Sequence, residues 1–139
     1  RVRNLASLTP KGGGSLLEDT SFQRKLNETE IQLESIQYTE FRLMAALAKG
    51  ESPGPESSVL KTLSADIQQQ LTELSVEAVA EFAAAHQPGA RTVGADTASI
   101  GNDDGKMAFT QYFNLRASSI AGGTNEVQKN IIAKMVLGL

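Results

Sequence analysis

Two long stretches with helical apolar spacing, separated by a short Pro-Gly-Pro joint, constrain the fold of this chain most. Residues 20–49 and 56–85 both place apolar side chains at intervals of three or four, which is typical of amphipathic α-helices. Asp19 or Thr20 is a suitable N-cap for the first helix, and the joint at residues 53–55 follows its end. Because this joint is short, we expect the two helices to pack as an antiparallel hairpin.

The rest of the chain is typical of shorter helices joined by glycine-rich segments. Residues 1–8 have the spacing of a helix end, and residues 106–118 and 125–137 are predicted to form two further helices. We interpret residues 10–14 as a flexible joint and residues 86–105 as a loop with at most a short helical turn. The sequence carries no β-hairpin signature that we recognise. It therefore predicts an all-α, up-and-down helical bundle.

Composition excludes several classes of function. The chain has 139 residues, which suits one domain, and its net charge of −3 argues against a nucleic-acid surface. It has no cysteine and one histidine, His86, so thiol catalysis and multi-histidine metal sites are excluded. No apolar run approaches the roughly 20 residues that a membrane-spanning helix needs. The chain starts at Arg1 and not at a methionine, so we expect it to belong to a longer protein.

The segment from Arg116 onward is the part of the chain that most indicates a binding or catalytic site. It is interpreted as a helix, a hinge at Gly122 and Gly123, and a new helix capped by Thr124. Glycine allows positive φ angles and close approach to the backbone, and a helix N-terminus presents free N–H groups. Such a corner could hold a carbonyl, a phosphate or a flavin edge. From spacing alone, an ordinary helix–helix turn with a good cap is the favoured interpretation, because a Gly-Gly-Thr segment is short and common.

A longer match to a known pattern favours a functional corner. The segment resembles the C-terminal signature of acyl-CoA dehydrogenases, Gly-Gly-Thr-x-Glu-Ile-Gln-Arg-Asn-Ile-Ile-Ala. Here it reads Gly122-Gly123-Thr124-Asn125-Glu126-Val127-Gln128-Lys129-Asn130-Ile131-Ile132-Ala133. Residues 16–19, 53–58 and 136–139 also resemble family members, and the likeness is weakest in residues 86–105. The resemblance implies that residues 1–139 form one C-terminal helical bundle domain, which in this family follows an N-terminal helical domain and a β domain.

The resemblance also implies an activity and its parts. Family members use FAD to dehydrogenate an acyl-CoA thioester between its α and β carbons. By position, Thr124 and Glu126 match residues that contact FAD, and Gly123 matches a substrate-contacting glycine. The backbone N–H of Gly122 matches a donor to the thioester carbonyl, which would stabilise the enolate-like charge. The implied partners are acyl-CoA, an electron acceptor, and other subunits in a homo- or hetero-oligomer formed through the bundle.

Three departures from the family pattern bear on catalysis. Gly122 stands where many relatives carry the glutamate base, so this chain contributes no catalytic residue at that position. Other relatives place the base on the helix that precedes Arg1, or form heteromers in which one subunit lacks a base. The family's Arg-x-x-Phe-Gly segment is absent from residues 8–12, and its Gln-x-x-Gly-Gly segment is absent from residues 87–91.

These departures leave two hypotheses. The first is the C-terminal domain of an FAD-dependent acyl-CoA dehydrogenase, and the alternative is a non-catalytic helical subunit or assembly module of a heteromeric complex. Under either, we expect the isolated chain to be inactive and without FAD. We expect a bacterial cytoplasmic location, with the mitochondrial matrix as the alternative.

Other residues with chemical potential are expected to be structural. His86 is predicted to be exposed or to cap a helix, and Asp103 and Asp104 to form a turn or cap. Three lysines are predicted to lie on solvated helix faces and three aromatic residues to lie in the core. They are Lys61, Lys129 and Lys134, and Phe109, Tyr112 and Phe113.

Overall fold

Two long helices, α2 (Thr20–Ala48) and α3 (Glu56–Val79), run antiparallel and form the frame of the computed structural model, which describes residues 1–94 and 96–139. Near one end of the pair the Lys25 ammonium lies 2.9 Å from the Glu77 carboxylate. The Asp19 carboxylate accepts the Phe22 N–H at 2.9 Å and begins α2, as a capping aspartate does. The predicted hairpin of helices and the all-α fold class are confirmed.

The shorter elements surround α3. They are α1 (Val2–Leu8), β1 (Pro10–Lys11), β2 (Gly14–Ser15), α4 (Pro88–Arg91), α5 (Ala108–Leu115) and α6 (Asn125–Ile132). Short segments of 3₁₀-helix lie between them at Leu16–Glu18, Ala80–Ala84, Asp103–Gly105 and Arg116–Ser119. A π-helical turn, Ala133–Leu137, continues α6. α1, α5 and α6 all pack against α3, so this helix is the centre of the bundle.

The core lies where α1, the start of α2 and the end of α3 meet. Phe22 is fully buried there, with Leu5 and Leu74 beside it. The other members of this cluster are Val2, Ala6, Leu16, Leu26 and Ala78. A second, smaller cluster joins the end of α3 to α5 through Val79, Ala83 and Ala108. Burial is therefore concentrated at one end of the long hairpin.

The other half of α2 exposes large apolar side chains. Tyr38 is 68% exposed, Met44 60% and Phe41 56%. Ile31 and Leu33, one to two turns earlier, are at least half exposed as well. We call these five residues the distal α2 face. Large apolar side chains exposed on a soluble protein often mark a surface that binds another molecule.

The segment interpreted as a flexible joint is an ordered β-hairpin, so our expectation of no hairpin is wrong. Pro10 pairs with Ser15 and Lys11 with Gly14 in a two-stranded antiparallel ladder. The connecting residues, Gly12 and Gly13, have φ angles of +59° and +89°. A two-residue hairpin turn of type I′ needs positive φ at both central positions, and a Gly-Gly pair meets that need.

One predicted helix end is also wrong. The helix predicted over residues 56–85 ends at Val79, where Ala80 takes a φ of +53° and a 3₁₀ turn follows. No glycine or proline marks this break, but the turn buries Ala83 against Val79. The last two helical segments end close to the predicted residues, at Ser119 and Leu137, and their final turns are the 3₁₀ turn Arg116–Ser119 and the π turn Ala133–Leu137.

Among residues 1–94 and 96–139, no helix combines the length and the apolar character needed to cross a membrane.

Candidate functional site

The candidate site is the turn between the 3₁₀ segment Arg116–Ser119 and helix α6. Gly122 and Gly123 have φ angles of +72° and +99°, a region that residues with a Cβ rarely adopt. Thr124 then returns to an extended conformation, and its hydroxyl oxygen accepts the Val127 N–H at 3.3 Å. We call Gly122, Gly123 and Thr124 the glycine corner. The predicted hinge and the predicted Thr124 cap are both present.

The corner is open on its outer side. Gly122 is exposed, and a Cβ built there would have no heavy atom within 4 Å. Within residues 1–94 and 96–139, the Gly122 N–H donates no hydrogen bond, whereas the Gly123 N–H faces back into the turn that it closes over residues 120–122. One unpaired backbone donor, that of Gly122, therefore lies at an accessible turn. Such donors can bind a carbonyl oxygen or an oxyanion.

Glu126 lies at the start of α6 with its carboxylate in solvent. Its pKa lies below the ordinary value, first because its own backbone N–H donates to the carboxylate and then because the Thr124 hydroxyl does. The charges of Lys129 and Lys61 act in the same direction. The carboxylate is therefore an ionised hydrogen-bond acceptor, and it uses one of the free N–H groups at the helix start.

The inner side of the corner rests on Gln128, which our sequence interpretation assigned no role. Gln128 is only 9% exposed, and its side-chain Nε2 donates to the Gly122 carbonyl at 3.1 Å. A Cβ at Gly123 would lie 2.7 Å from this nitrogen, so glycine is needed at that position for contact as well as for φ. A glutamine on the inward stripe of a short amphipathic helix is the sequence signal that could have identified it.

Helix α3 contacts both sides of the glycine corner. The Lys61 ammonium donates to the Ser119 carbonyl at 3.4 Å and to Asn125 Oδ1 at 3.3 Å. Asn125 in turn donates to the Asp66 carboxylate at 3.4 Å. The prediction that Lys61 lies on a solvated face is therefore wrong, because its ammonium bridges the two sides of the corner. Lys129 and Lys134 are exposed, as predicted.

Arg116 holds the chain segment that precedes the glycine corner against α3. Its guanidinium donates to the Gln69 carbonyl and to the Thr72 hydroxyl, both at 2.9 Å, and lies 2.8 Å from the Glu73 carboxylate. It also lies over the Tyr112 ring, 4.5 Å from the ring centroid. These contacts join α3 and α5 just before the chain turns into the corner.

The remaining candidates are structural or exposed. His86 is exposed, and Asp103 and Asp104 begin a 3₁₀ turn capped by Asn102, as predicted. No cluster of histidine, cysteine, aspartate and glutamate in the described ranges could hold a metal ion.

The prediction that the aromatic residues of α5 form core is wrong for two of the three. Phe113 is 60% exposed and Phe109 is 39% exposed, while Tyr112 is half-buried under Arg116. The face of α5 that packs against α3 carries Ala108, so the larger rings point to the outside of the bundle.

Comparisons with known proteins agree with this fold. No curated protein matches the chain significantly. A crystal structure of the ChsE4–ChsE5 complex from Mycobacterium tuberculosis matches with a TM-score of 0.71 and 25% sequence identity. The match covers 99% of this chain and 33% of that one, so the chain spans about a third of the neighbour's length. The family model for the acyl-CoA dehydrogenase C-terminal domain matches residues 1–137. The chain therefore belongs to the acyl-CoA dehydrogenase family.

Proposed function

We propose that residues 1–139 are the C-terminal helical bundle domain of a longer flavoprotein that dehydrogenates acyl-CoA thioesters. The glycine corner is the observation that carries this proposal. Its two adjacent glycines hold positive φ angles, the Gly122 N–H is unpaired within the described residues, and the matching signature begins at Gly122. In the whole protein, the N-terminal helical domain and the β domain complete the flavin and substrate sites.

The corner contributes to chemistry by donating hydrogen bonds. Removing the α-proton of a thioester moves negative charge onto the carbonyl oxygen. The Gly122 N–H is the proposed donor to that oxygen, and Gly123 is the proposed substrate contact. A fixed donor stabilises the charge most when it is already oriented before the reaction begins. Gly122 is suited to close approach, since the space beside its Cα is open.

The cofactor contacts are proposed at Thr124 and Glu126. FAD, when bound, supplies the acceptor for the hydride that leaves the β-carbon. The residues present fit only part of such a molecule. Glu126 is an exposed, ionised carboxylate, which accepts hydrogen bonds from hydroxyl or N–H groups and repels phosphate. We therefore assign the corner to a hydroxyl- or N–H-bearing part of FAD.

The catalytic base lies elsewhere. Gly122 has no side chain to accept a proton, and the Glu126 carboxylate is engaged with its own N–H and the Thr124 hydroxyl. A carboxylate on the helix upstream of α1, or one from a partner subunit, is the proposed base. The isolated chain is accordingly expected to be inactive and colourless.

The alternative is a non-catalytic subunit of a heteromeric acyl-CoA dehydrogenase-like complex. Two observations favour it: glycine replaces the base at position 122, and the similar crystal structure is of a complex of two named proteins. In both cases the distal α2 face supports association with other subunits, because it leaves large apolar side chains uncovered. An electron acceptor and a bacterial cytoplasmic location complete the proposal.

One experiment separates the two functions. The full-length protein, with its partner subunit where one exists, is assayed with short-, medium- and long-chain acyl-CoA thioesters and an artificial electron acceptor. The Gly122→Ala, Gly123→Pro double variant removes the Gly123 N–H and changes the φ of the corner. We expect turnover to fall by about 10²-fold or more, because the changed backbone no longer orients the Gly122 N–H as an oxyanion donor. Unchanged turnover and acyl-CoA affinity would make the corner a simple turn and favour the non-catalytic subunit.

A further inference from the structure

We infer that Lys61 is a positioning residue that holds the proposed flavin contacts, Thr124 and Glu126, in place from helix α3. The inference rests on the proposed function and adds to it a residue from outside the signature. Lys61 does not bond either contact, since its ammonium donates to Ser119 and Asn125. It acts through Asn125, which lies between the two contacts and is the first residue of α6.

The Asn125 side chain lies between two opposite charges of α3. Its Oδ1 accepts from the Lys61 ammonium at 3.3 Å, and its Nδ2 donates to the Asp66 carboxylate at 3.4 Å. An amide oxygen only accepts hydrogen bonds and an amide nitrogen only donates them, so the flipped amide would satisfy neither neighbour. The two charged groups therefore fix the orientation of this amide, and both belong to the same helix.

The same ammonium also holds the chain before the glycine corner. It donates to the carbonyl of Ser119, the last residue of the 3₁₀ segment, at 3.4 Å. Lys61 is half-buried, so salt screens its charge less than that of a fully exposed lysine. One cation thus links both the segment before the corner and the helix after it to α3.

The start of α6 has few other polar links to the rest of the bundle. Among residues 1–94 and 96–139, the side-chain hydrogen bonds between α3 and the first turn of α6 are the two made by Asn125. The bonds of Thr124 to Val127 and to Glu126 lie within the turn itself. Such local bonds shape the turn, whereas the contacts with Lys61 and Asp66 set its place against α3.

The charge of Lys61 also reaches a flavin contact. The pKa of Glu126 is lowered first by the bond from its own N–H, then by the Thr124 hydroxyl, and further by the charges of Lys129 and Lys61. Of these two cations, Lys61 is the one that bonds the turn, since Lys129 is exposed and makes no such bond within the described residues. Lys61 therefore links the position of the turn to the charge that it carries.

This role does not follow from the signature. Asn125 stands at the position that the pattern Gly-Gly-Thr-x-Glu leaves open, so the asparagine belongs to this chain and not to the pattern. Lys61 lies 64 residues earlier, on another helix. The evidence for the pair is therefore their contact in the structure.

The test compares two lysines in the full-length protein, with its partner subunit where one exists. Lys61→Met keeps a long side chain and removes the ammonium. Lys25→Met is the matched control, because Lys25 also links two helices, through Glu77, but near the other end of α3. The measurements are the Kd of FAD for the apoprotein, the Tm, and hydrogen–deuterium exchange of residues 120–128 in the absence of FAD.

We expect Lys61→Met to raise the Kd of FAD by about 10-fold, as is typical when a hydrogen bond to a charged group is lost. Exchange of residues 120–128 should become faster in the same variant. Lys25→Met should change neither the Kd of FAD nor this exchange, whatever it does to the Tm. A merely structural role would make the two variants weaken FAD binding in proportion to their loss of Tm.

The outcomes separate the inference from the proposed function. If the wild-type protein binds FAD and Lys61→Met binds it equally well, or if exchange of residues 120–128 is unchanged, the inference alone is overturned. If the wild-type protein binds no FAD, the proposed function fails and the flavin role of Lys61 fails with it. The exchange measurement then still decides whether Lys61 holds the turn.

Asn125 provides a second test. Asn125→Leu keeps the approximate size of the side chain and removes both of its bonds to α3. If Lys61 acts through this amide, the Lys61→Met, Asn125→Leu double variant should bind FAD little more weakly than the weaker single variant. The Lys25→Met, Asn125→Leu pair should behave as Asn125→Leu alone. Full additivity for the Lys61 pair would contradict the proposed route through Asn125.

Discussion

The same substitution at two positions of α2 should have two different effects. Phe22 is fully buried in the core, whereas Phe41 is 56% exposed on the distal α2 face. Phe22→Ala removes a large side chain from a packed site and is expected to cost about 3–5 kcal/mol of the free energy of unfolding. With an unfolding entropy of roughly 2.1 cal/mol/K per residue, this lowers the Tm by about 10–17 °C. The cost should not depend on protein concentration.

Phe41→Ala is expected to act on association. A phenylalanine side chain presents roughly 200 Å², so its exposed 56% corresponds to about 110 Å². At about 25 cal/mol per Å², covering that area in an assembly contributes up to ~2.8 kcal/mol per copy. Allowing for the area that alanine still covers, a loss of about 2 kcal/mol raises the dissociation constant ~30-fold.

Denaturant unfolding at two protein concentrations, with sedimentation equilibrium on the same samples, separates the two effects. Phe22→Ala should lower the unfolding midpoint equally at both concentrations. Phe41→Ala should be near neutral for the dissociated chain and should shift the association curve. An unchanged dissociation constant for Phe41→Ala would remove the distal α2 face as an interface. A cost below ~1 kcal/mol for Phe22→Ala would show that the core assignment is wrong.

Three further outcomes are expected. Thr124→Val should move the pKa of Glu126 upward toward its ordinary value of 4.5, because it removes a hydroxyl donor, and carboxyl NMR titration measures this. Since the pKa of Glu126 is lowered in the folded state, the stability that this carboxylate contributes is present above pH 4.5 and is lost as the pH falls through the folded pKa. An unchanged pKa of Glu126 in the Thr124→Val variant would exclude the hydroxyl contact. Arg116→Lys should lower the Tm by about 3–7 °C, roughly 1–2 kcal/mol, because lysine cannot reproduce the forked bonds to Gln69 and Thr72. Glu73→Gln is its control and should cost little, since that carboxylate is more than half exposed. The isolated chain should purify without yellow colour and without acyl-CoA dehydrogenase activity; stoichiometric flavin after gel filtration would contradict this.

The frame of the fold could be predicted because its signals are local. An aspartate cap before Thr20 and a Pro-Gly-Pro joint before Glu56 locate the starts of α2 and α3, and the observed helices begin at those residues. The hairpin at Gly12 and Gly13 was missed although its signal is equally local, because a glycine run was interpreted as flexibility. The end of α3 at Val79 has no such signal: Ala80 takes a φ of +53° without being a glycine, and Ala83 then packs in the second cluster with Val79.

The residues of the candidate site also divide into those that have a local sequence signal and those that have none. Gly122, Gly123, Thr124 and Glu126 could be proposed from the sequence because they lie within five consecutive residues of one motif. Residues this close in the chain lie close together in any fold. Lys61 and Gln128 could not be assigned, since their roles depend on which helix face meets the corner. Both bond backbone carbonyl groups, at Ser119 and Gly122, and a main-chain partner leaves no mark on the sequence.

The glycine at position 122 is consistent with the backbone around it. A glutamate at this position with a φ of +72° would hold an L-residue in the left-handed region, at a cost of about 1–2 kcal/mol. Space is not the obstacle, because a Cβ there would meet nothing within 4 Å. The corner is therefore shaped to offer backbone N–H groups and not to present a side chain. This backbone is consistent with our proposal that the catalytic base of the whole protein comes from another helix or another subunit.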